Sequence, residues 1–532
     1  MTHYGMRTLT GFSRNPLRFI AVAAALPFAS PPSLAQVVAI APTAAGGCAS
    51  IRNLQIADVR LTEVVDVPDS GARRDNVRVP HCRVSGVIGR STAFTAMLPK
   101  KWNDRLFMGG NGGYAGTINR GALALANDGY LTVSTNTGHD RSPGGGARWA
   151  LNDPERQVDF GYLAVHRSAE IAKLLAKAFY GREPRHTYFS GCSNGGRQGL
   201  MEAERYPADF YGIIAGAPAA FMSVTGAAFL KNTKAAFPDP SYFDRPLITQ
   251  ANLDLLSRKV LEACDALDGV RDSVLNDPRD CNFKVASIKR CPADNQAPDC
   301  LTSAQSAAVA RIYAATTDNR GRVIYPAQPF GGENLRGGWP FWITGRDSSL
   351  MREVHVPTAQ AMFVTEGAKY FMFNDSTWDY SKYSGSFVAD AKRWAEILDA
   401  DNPDISRFAA RNGKLIIWHG WSDPALNPVT TIGYYNRVVA RDARAANYTR
   451  LFMAPGVLHC GGGPGPSDAP WMKAITDWVE SGLAPDQVIA TKADSSGRTI
   501  RSRPLCAFPR RAVYKGAGST DDAANFVCRA PR

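Results

Sequence analysis

The sequence predicts an α/β protein in which a mostly parallel sheet, covered by helices, is interrupted once by a long inserted domain. Three observations carry that reading. Strand-like and helix-like segments alternate from "NVRVPHCRVSGVIG" to "YGIIAGAPAA". The alternation then lapses for roughly 180 residues rich in cysteine, aspartate and tryptophan, and it resumes at "GKLIIWHGWSDPALNP". Strands joined by helices pair in parallel, and a lapse between successive strands marks an insertion.

The elements justify this in order. Arg7, Arg14 and Arg18 precede the apolar run "FIAVAAALPF" and the small-x-small stretch "SLAQ", with no acid before Ala35. That is the layout of a secretory signal peptide cut after Ala35. Ten apolar residues are too few to cross a bilayer, and no cysteine follows the cut to carry a lipid. The expected organisation is therefore a signal peptide over 1–35, the first part of a catalytic domain over 36–216, a lid over 217–400 and the second part over 401–532. The expected location is the periplasm or the medium. Within the first part, "NVRVPHCRVSGVIG" and "TAFTAMLP" alternate as strands do, and "HRSAEIAKLLAKAFYG" is helical with a glycine stop. In the second part, the helix-like "TTIGYYNRVVARDA", the strand "YTRLFMAPG", the loop "VLHCGGG" and the helix "WMKAITDWVESG" follow one another.

Charge and cysteines narrow the function. The formal charge is +13, and removal of the three leader arginines leaves +10, spread along the chain. No Lys/Arg tract interleaved with aromatics occurs, so nucleic acid is a poor partner, and the charge suggests only a mild attraction for anionic aromatic acids. All ten cysteines follow the leader, an even number that in an exported chain points to disulfides. Sequence alone does not fix the pairing. Sequential pairs 264 with 281, 291 with 300 and 506 with 528 would close short loops, Cys48 would take Cys82, and Cys192 and Cys460 would remain.

The chemistry concentrates at "FSGCSNGGRQG". Gly191 to Gly195 fit the G-x-S-x-G nucleophile elbow, between an apolar run and a helix that ends near Pro207. In an α/β-hydrolase fold the acid follows one late strand and the base lies in the loop after the next. Asp423 follows "KLIIWHGWS" and His459 follows "RLFMAPGVL". Ser193, Asp423 and His459 are thus the expected nucleophile, acid and base. His419 is expected to be a structural or pocket-lining residue instead. A Cys192–Cys460 bond would tie the elbow to the histidine loop.

Two loops have a chemical reading of their own. "GGNGGYAG", Gly109 to Gly116, is expected to supply a backbone N–H from Gly112 or Gly113 that holds an oxyanion together with the N–H of Asn194. In "CDALDGVRDSVLND", the carboxylates of Asp265, Asp268 and Asp272 alternate with the carbonyls of Val270 and Val274. Such a density of hard oxygens suits a structural Ca²⁺, although the spacing is not that of an EF-hand.

Together, "GNGGYAG", "GCSNGGRQGL", "CDALDGVRDSVL", "YFMFNDSTWDY" and "HGWSDPALNP" resemble the tannase and feruloyl esterase family of α/β-hydrolases, whose members include a bacterial mono(2-hydroxyethyl) terephthalate hydrolase. The resemblance covers nearly the whole mature chain. It implies an α/β-hydrolase fold with a large inserted lid domain, esterase chemistry on small aromatic carboxylic esters, and a disulfide between the cysteines flanking nucleophile and base. The lid aromatics Trp339, Phe341, Trp342, Phe371 and Phe373 are candidates for clamping an aromatic acyl group or for the lid core. The rivals are a terephthalate monoester hydrolase, a catalytically silent binding protein of the same fold, and a calcium-dependent phosphoesterase or metallohydrolase, which would need a His-rich ligand spacing that the sequence lacks.

Overall fold

The central sheet has nine strands: β1 (Val59–Val67), β2 (His81–Ile88), β3 (Thr92–Pro99), β4 (Arg105–Gly109), β5 (Leu131–Thr135), β6 (His186–Cys192), β7 (Gly212–Gly216), β8 (Lys414–Gly420) and β9 (Thr449–Ala454). Their spatial order is β1-β2-β3-β5-β4-β6-β7-β8-β9. The first strands meander antiparallel, and from β5 onward every pairing is parallel. This computed structural model describes residues 47–69, 76–243, 245–345 and 355–531. The expected signal segment, and the start of the first catalytic part at 36, lie outside the described residues.

Burial explains the strand sequences. Strands β5 and β7 are buried along their whole length, because helices cover both faces of a parallel sheet; β7 accordingly reads as an unbroken apolar run, whereas β5 also buries Thr132, Ser134 and Thr135. Helix α1 (Ala164–Tyr180) buries an alanine-rich face that also carries Val165, Ile171, Leu175 and Phe179, and it stops at Gly181, whose φ of 78° provides the left-handed cap. Helix α2 (Asn194–Arg205) follows β6 with Ser193 alone between them.

Among the described residues, no strand joins the central sheet between Gly216 and Lys414. That stretch forms helices α3 (Met222–Ala236), α4 (Gln250–Cys264), α5 (Ser303–Tyr313) and α6 (Ala359–Gly367) and a short ribbon over Thr316–Tyr325. Helices α4 and α5 each open on a reciprocal cap, Thr249 with Asn252 and Thr302 with Gln305. The insertion's aromatic core, with Trp339, Phe371 and Trp394, is continuous with Tyr114, Trp149 and Phe160 from the first part. The described residues accordingly form one compact unit. After helices α7 (Pro428–Arg441) and α8 (Trp471–Ser481), the chain ends in two antiparallel ribbons, Gln487–Cys506 and Arg511–Arg529.

The disulfides are Cys48–Cys82, Cys192–Cys460, Cys264–Cys281, Cys291–Cys300 and Cys506–Cys528, with no free cysteine among the described residues. Four of them close loops of 9 to 34 residues, whereas Cys192–Cys460 spans 268. That one bond crosses the whole insertion.

Candidate active site

Ser193 sits where β6 gives way to α2, with φ 63° and ψ −124°. A non-glycine residue takes such a conformation only when its surroundings enforce it. Here the Ser193 N–H donates to the Gly216 carbonyl at 3.0 Å, and its own carbonyl accepts from Arg197 and Ala219. Gly191 must be glycine, because a Cβ there would lie 2.6 Å from the backbone of Gly195. The elbow is thus held by backbone bonds on both sides, leaving the half-buried serine at its apex.

Asp423 follows β8 and is wholly buried. Its Oδ1 accepts from the backbone N–H groups of Ala425 (2.7 Å) and Leu426 (3.0 Å), and its Oδ2 lies 2.7 Å from His459 Nδ1 and 3.1 Å from His419 Nε2. Burial alone would push this carboxyl up, but His459 and His419 together hold it well below the usual carboxylate range. Asp423 therefore stays ionised. With Nδ1 committed to Asp423, His459 has its Nε2 available for the serine. The Cys192–Cys460 bond, with Cα atoms 5.9 Å apart, ties the residue before Ser193 to the residue after His459.

His419 does not line a pocket. It is fully buried, and its ring reaches Thr431 Oγ1 at 2.8 Å and the Leu426 carbonyl at 3.0 Å as well as Asp423. It braces the acid. The lid aromatics divide similarly. Trp339 packs on Tyr313 in the core of the insertion, and Phe371 packs on Trp149 and Phe160, so both are fully buried core side chains. Trp342 instead stands edge-on to the His459 ring with centroids 5.0 Å apart, and it stacks at 6.1 Å on Phe363, which had no signal in the sequence.

The glycine loop is bound to the nucleophile helix. Asn111 N–H donates to Gln198 Oε1 at 3.0 Å, and Asn194 Nδ2 donates to the Asn111 carbonyl at 3.1 Å. Gly112 is open, with nothing within 4 Å of where a Cβ would be, and Gly113 faces Phe363. Asn194 begins α2, so its N–H points out of the helix N-terminus, where the dipole favours negative charge. Beneath it Arg197, fully buried, donates to Asn194 Oδ1 (2.7 Å) and to the carbonyls of Gly161 and Phe160. Sequence reasoning missed Arg197 and Gln198. Their signal was the spacing 194, 197, 198 on one helix face.

In the acidic loop, Asp265 Oδ2 accepts from Ser273 N–H and Asp268 Oδ1 from Val270 N–H, while Asp272 accepts from Val274 N–H and from Arg503 Nη2 at 2.8 Å. Among the described residues no group of three His, Cys, Asp or Glu side chains is placed to hold an ion. Two observations nevertheless match the donor set to a hard cation. Asp265 Oδ1 is buried without a hydrogen-bond partner, and burial, reinforced by the charges of Asp272 and Asp265, pushes Asp268 up to about 6.

The sheet, the elbow and the Asp423–His459 pair define an α/β-hydrolase. Residues 78–529 match the family described as tannase and feruloyl esterase. The chain belongs to that family and is a carboxylic ester hydrolase. It is 33% identical to mono(2-hydroxyethyl) terephthalate hydrolase from Piscinibacter sakaiensis over 517 residues, 85% of each chain. It is 31% identical to feruloyl esterase B from Aspergillus niger over 461 residues, 81% of this chain and 83% of the other. The crystal structure of feruloyl esterase B from Aspergillus oryzae superposes with a TM-score of 0.77 at 26% identity, covering 91% of this chain and 99% of that one.

Proposed function

We propose that the protein is an exported serine esterase that cleaves esters of aromatic carboxylic acids through an acyl-enzyme. The observation that carries the reading is the 2.7 Å contact from His459 Nδ1 to a buried, ionised Asp423, with the same histidine bound through its neighbouring cysteine to the residue before Ser193. Ser193 Oγ attacks the ester carbonyl while His459 Nε2 takes its proton. The carbonyl oxygen, now negative, lies against the N–H groups of Asn194 and of Gly112 or Gly113. Collapse breaks the ester C–O bond, and His459 passes the proton to the departing alcohol. Water then repeats the sequence on the acyl-enzyme and releases the acid. A silent binding protein of this fold has no use for an intact triad.

The aromatic acyl group is supported by Trp342 and Phe363 beside His459. The relatives support two acyl classes, phenolic acids and terephthalate. Export is supported by the leader-like first 35 residues and by five disulfides. Ser193→Ala is expected to abolish turnover of p-nitrophenyl acetate, methyl ferulate, methyl gallate and the terephthalate monoester with unchanged circular dichroism. More than a few per cent of residual turnover would place the nucleophile elsewhere.

Asp265, Asp268 and Asp272, with the carbonyls of Val270 and Val274, would hold a structural Ca²⁺, whose charge would add to that of Arg503 on Asp272 and supply a partner for Asp265 and Asp268. Removal of calcium with EDTA is expected to lower the Tm and its return to restore it, because a ligand of the folded state stabilises by mass action. An unshifted Tm, with no calcium by elemental analysis, would leave Arg501 and Arg503 as the loop's counter-charges.

A further inference from the structure

Beside the glycine loop opens a cavity of about 560 Å³. Gly112 and Gly113 form its floor on the side of the oxyanion donors, and Tyr114, Met362 and Phe363 supply an apolar wall. Phe363 is the link to the reaction centre, since it stacks on Trp342, which in turn meets the His459 ring. No aspartate or glutamate lines the cavity, and its two charged lining residues, Arg120 and Arg141, are both arginines.

Arg141 is held there by its backbone. Gly116, at φ 89°, closes the glycine loop so tightly on this segment that a Cβ on it would lie 2.6 Å from both N and Cα of Arg141. The Arg141 side chain is exposed, and among the described residues it makes no ion pair and no side-chain hydrogen bond. Other arginines of this protein are paired with carboxylates, as Arg105 is with Glu480 and Arg501 with Asp521. Arg141 is unspent, although its chain neighbour is Asp140.

We infer that Arg141 is a specificity-determining residue that reads a carboxylate on the substrate at a distance from the ester being cleaved. This rests on the serine-esterase reading, which puts the reacting carbonyl on Gly112 or Gly113 and the ester's aromatic ring along Phe363. A ring with a second, anionic substituent then reaches the acid-free rim, where a guanidinium takes a carboxylate through two parallel N–H donors. A neutral ester gains nothing there, so the residue separates substrates by charge and not by ring size.

The test compares matched pairs of esters. Monomethyl against dimethyl terephthalate puts the charge on the acyl side, and 4-acetoxybenzoate against its methyl ester puts it on the leaving group. For the wild type, the ratio of kcat/KM for the charged over the neutral member should exceed that of Arg141→Gln by about fivefold in one of the pairs, near the upper end for a solvent-exposed ion pair. The pair that responds tells which side of the ester faces the cavity. The difference should lie in KM, shrink with added salt, and be largely regained in Arg141→Lys. Equal ratios for wild type and Arg141→Gln in both pairs would overturn the inference, as would a fall shared equally by charged and neutral esters. A wild type that hydrolyses none of the four would sink the esterase reading instead. Terephthalate binding to the Ser193→Ala protein by calorimetry, with and without Arg141→Gln, then decides the arginine's role on its own, and equal affinities would overturn it.

Discussion

The ends of the central strands and the inserted lid build the same cleft by opposite means. At the strand ends each group is fixed by hydrogen bonds to neighbours close in the fold: Ser193 by Gly216, Asp423 by Ala425 and Leu426, the glycine loop by Gln198. In the lid, Trp342 and Phe363 are placed by apolar packing against a core shared with the first catalytic part. The difference teaches where each region tolerates change. Hydrogen-bonded groups have few geometries, so substitution there removes a function outright. Packed aromatics are adjustable, so substitution there shifts affinity or stability by degrees.

The sharpest way to break this contrast is to cut the one covalent tie between the elbow and the histidine loop. Replacing both Cys192 and Cys460 by alanine frees a loop of 268 residues in the unfolded chain, a change of about 5 kcal/mol in the chain-entropy model. It also frees the histidine loop from the elbow, and a displacement of about 1 Å costs on the order of a hundredfold in rate. Thermal unfolding and kcat should therefore both fall. If kcat survives while the Tm drops, hydrogen bonds alone hold the triad.

Within the lid, two tryptophans three positions apart should behave differently. Trp339→Ala, in the fully buried core, is expected to cost about 3 to 5 kcal/mol of stability. Trp342→Ala, beside His459, should raise KM for aromatic esters several-fold at a smaller cost in Tm. Matching KM values with matching Tm losses in the two variants would mean that neither ring meets the substrate. Denaturant melts and kinetics on methyl ferulate measure both.

The smallest effect concerns the far end of helix α2. Burial, then the charge of Asp401, pushes the Glu204 carboxyl up to about 8, against the opposing effects of the Asn402 N–H and of Arg205, with Asp399 adding slightly to the rise. The folded state therefore keeps this proton to a higher pH than the unfolded state does. Stability contributed by the neutral carboxyl is complete below about 4.5, declines as pH rises, and is gone above about 8. A plot of Tm against pH should fall across that window, and Glu204→Gln should flatten it. An unchanged slope in the variant would assign the titration to other groups.

Much of the catalytic frame was legible because its signals are local. The elbow glycines, the strand before Ser193 and the late strands before Asp423 and His459 announce themselves within a dozen residues each. The lid was legible only as an interruption. Its aromatics carry no period that separates core from wall, so Trp339 and Phe371 entered beside Trp342 as equals. His419 was readable as structural, but not as the second histidine on Asp423, since that depends on a turn from Asp423 to Leu426 folding back under the strand. Arg197 escaped because an arginine on a helix normally reads as solvated surface.

By itself the sequence determined the order of strands and helices, the three candidate catalytic residues and the family, because periodicity, turn chemistry and motif spacing are properties of short segments. Only the tertiary structure decided which aromatic meets His459, that Gln198 clamps the glycine loop, and that the C-terminal ribbon sends Arg503 to Asp272 across 231 positions of chain. Such contacts join residues far apart along the chain, and their partners are chosen by the packing of whole elements, which no local pattern encodes.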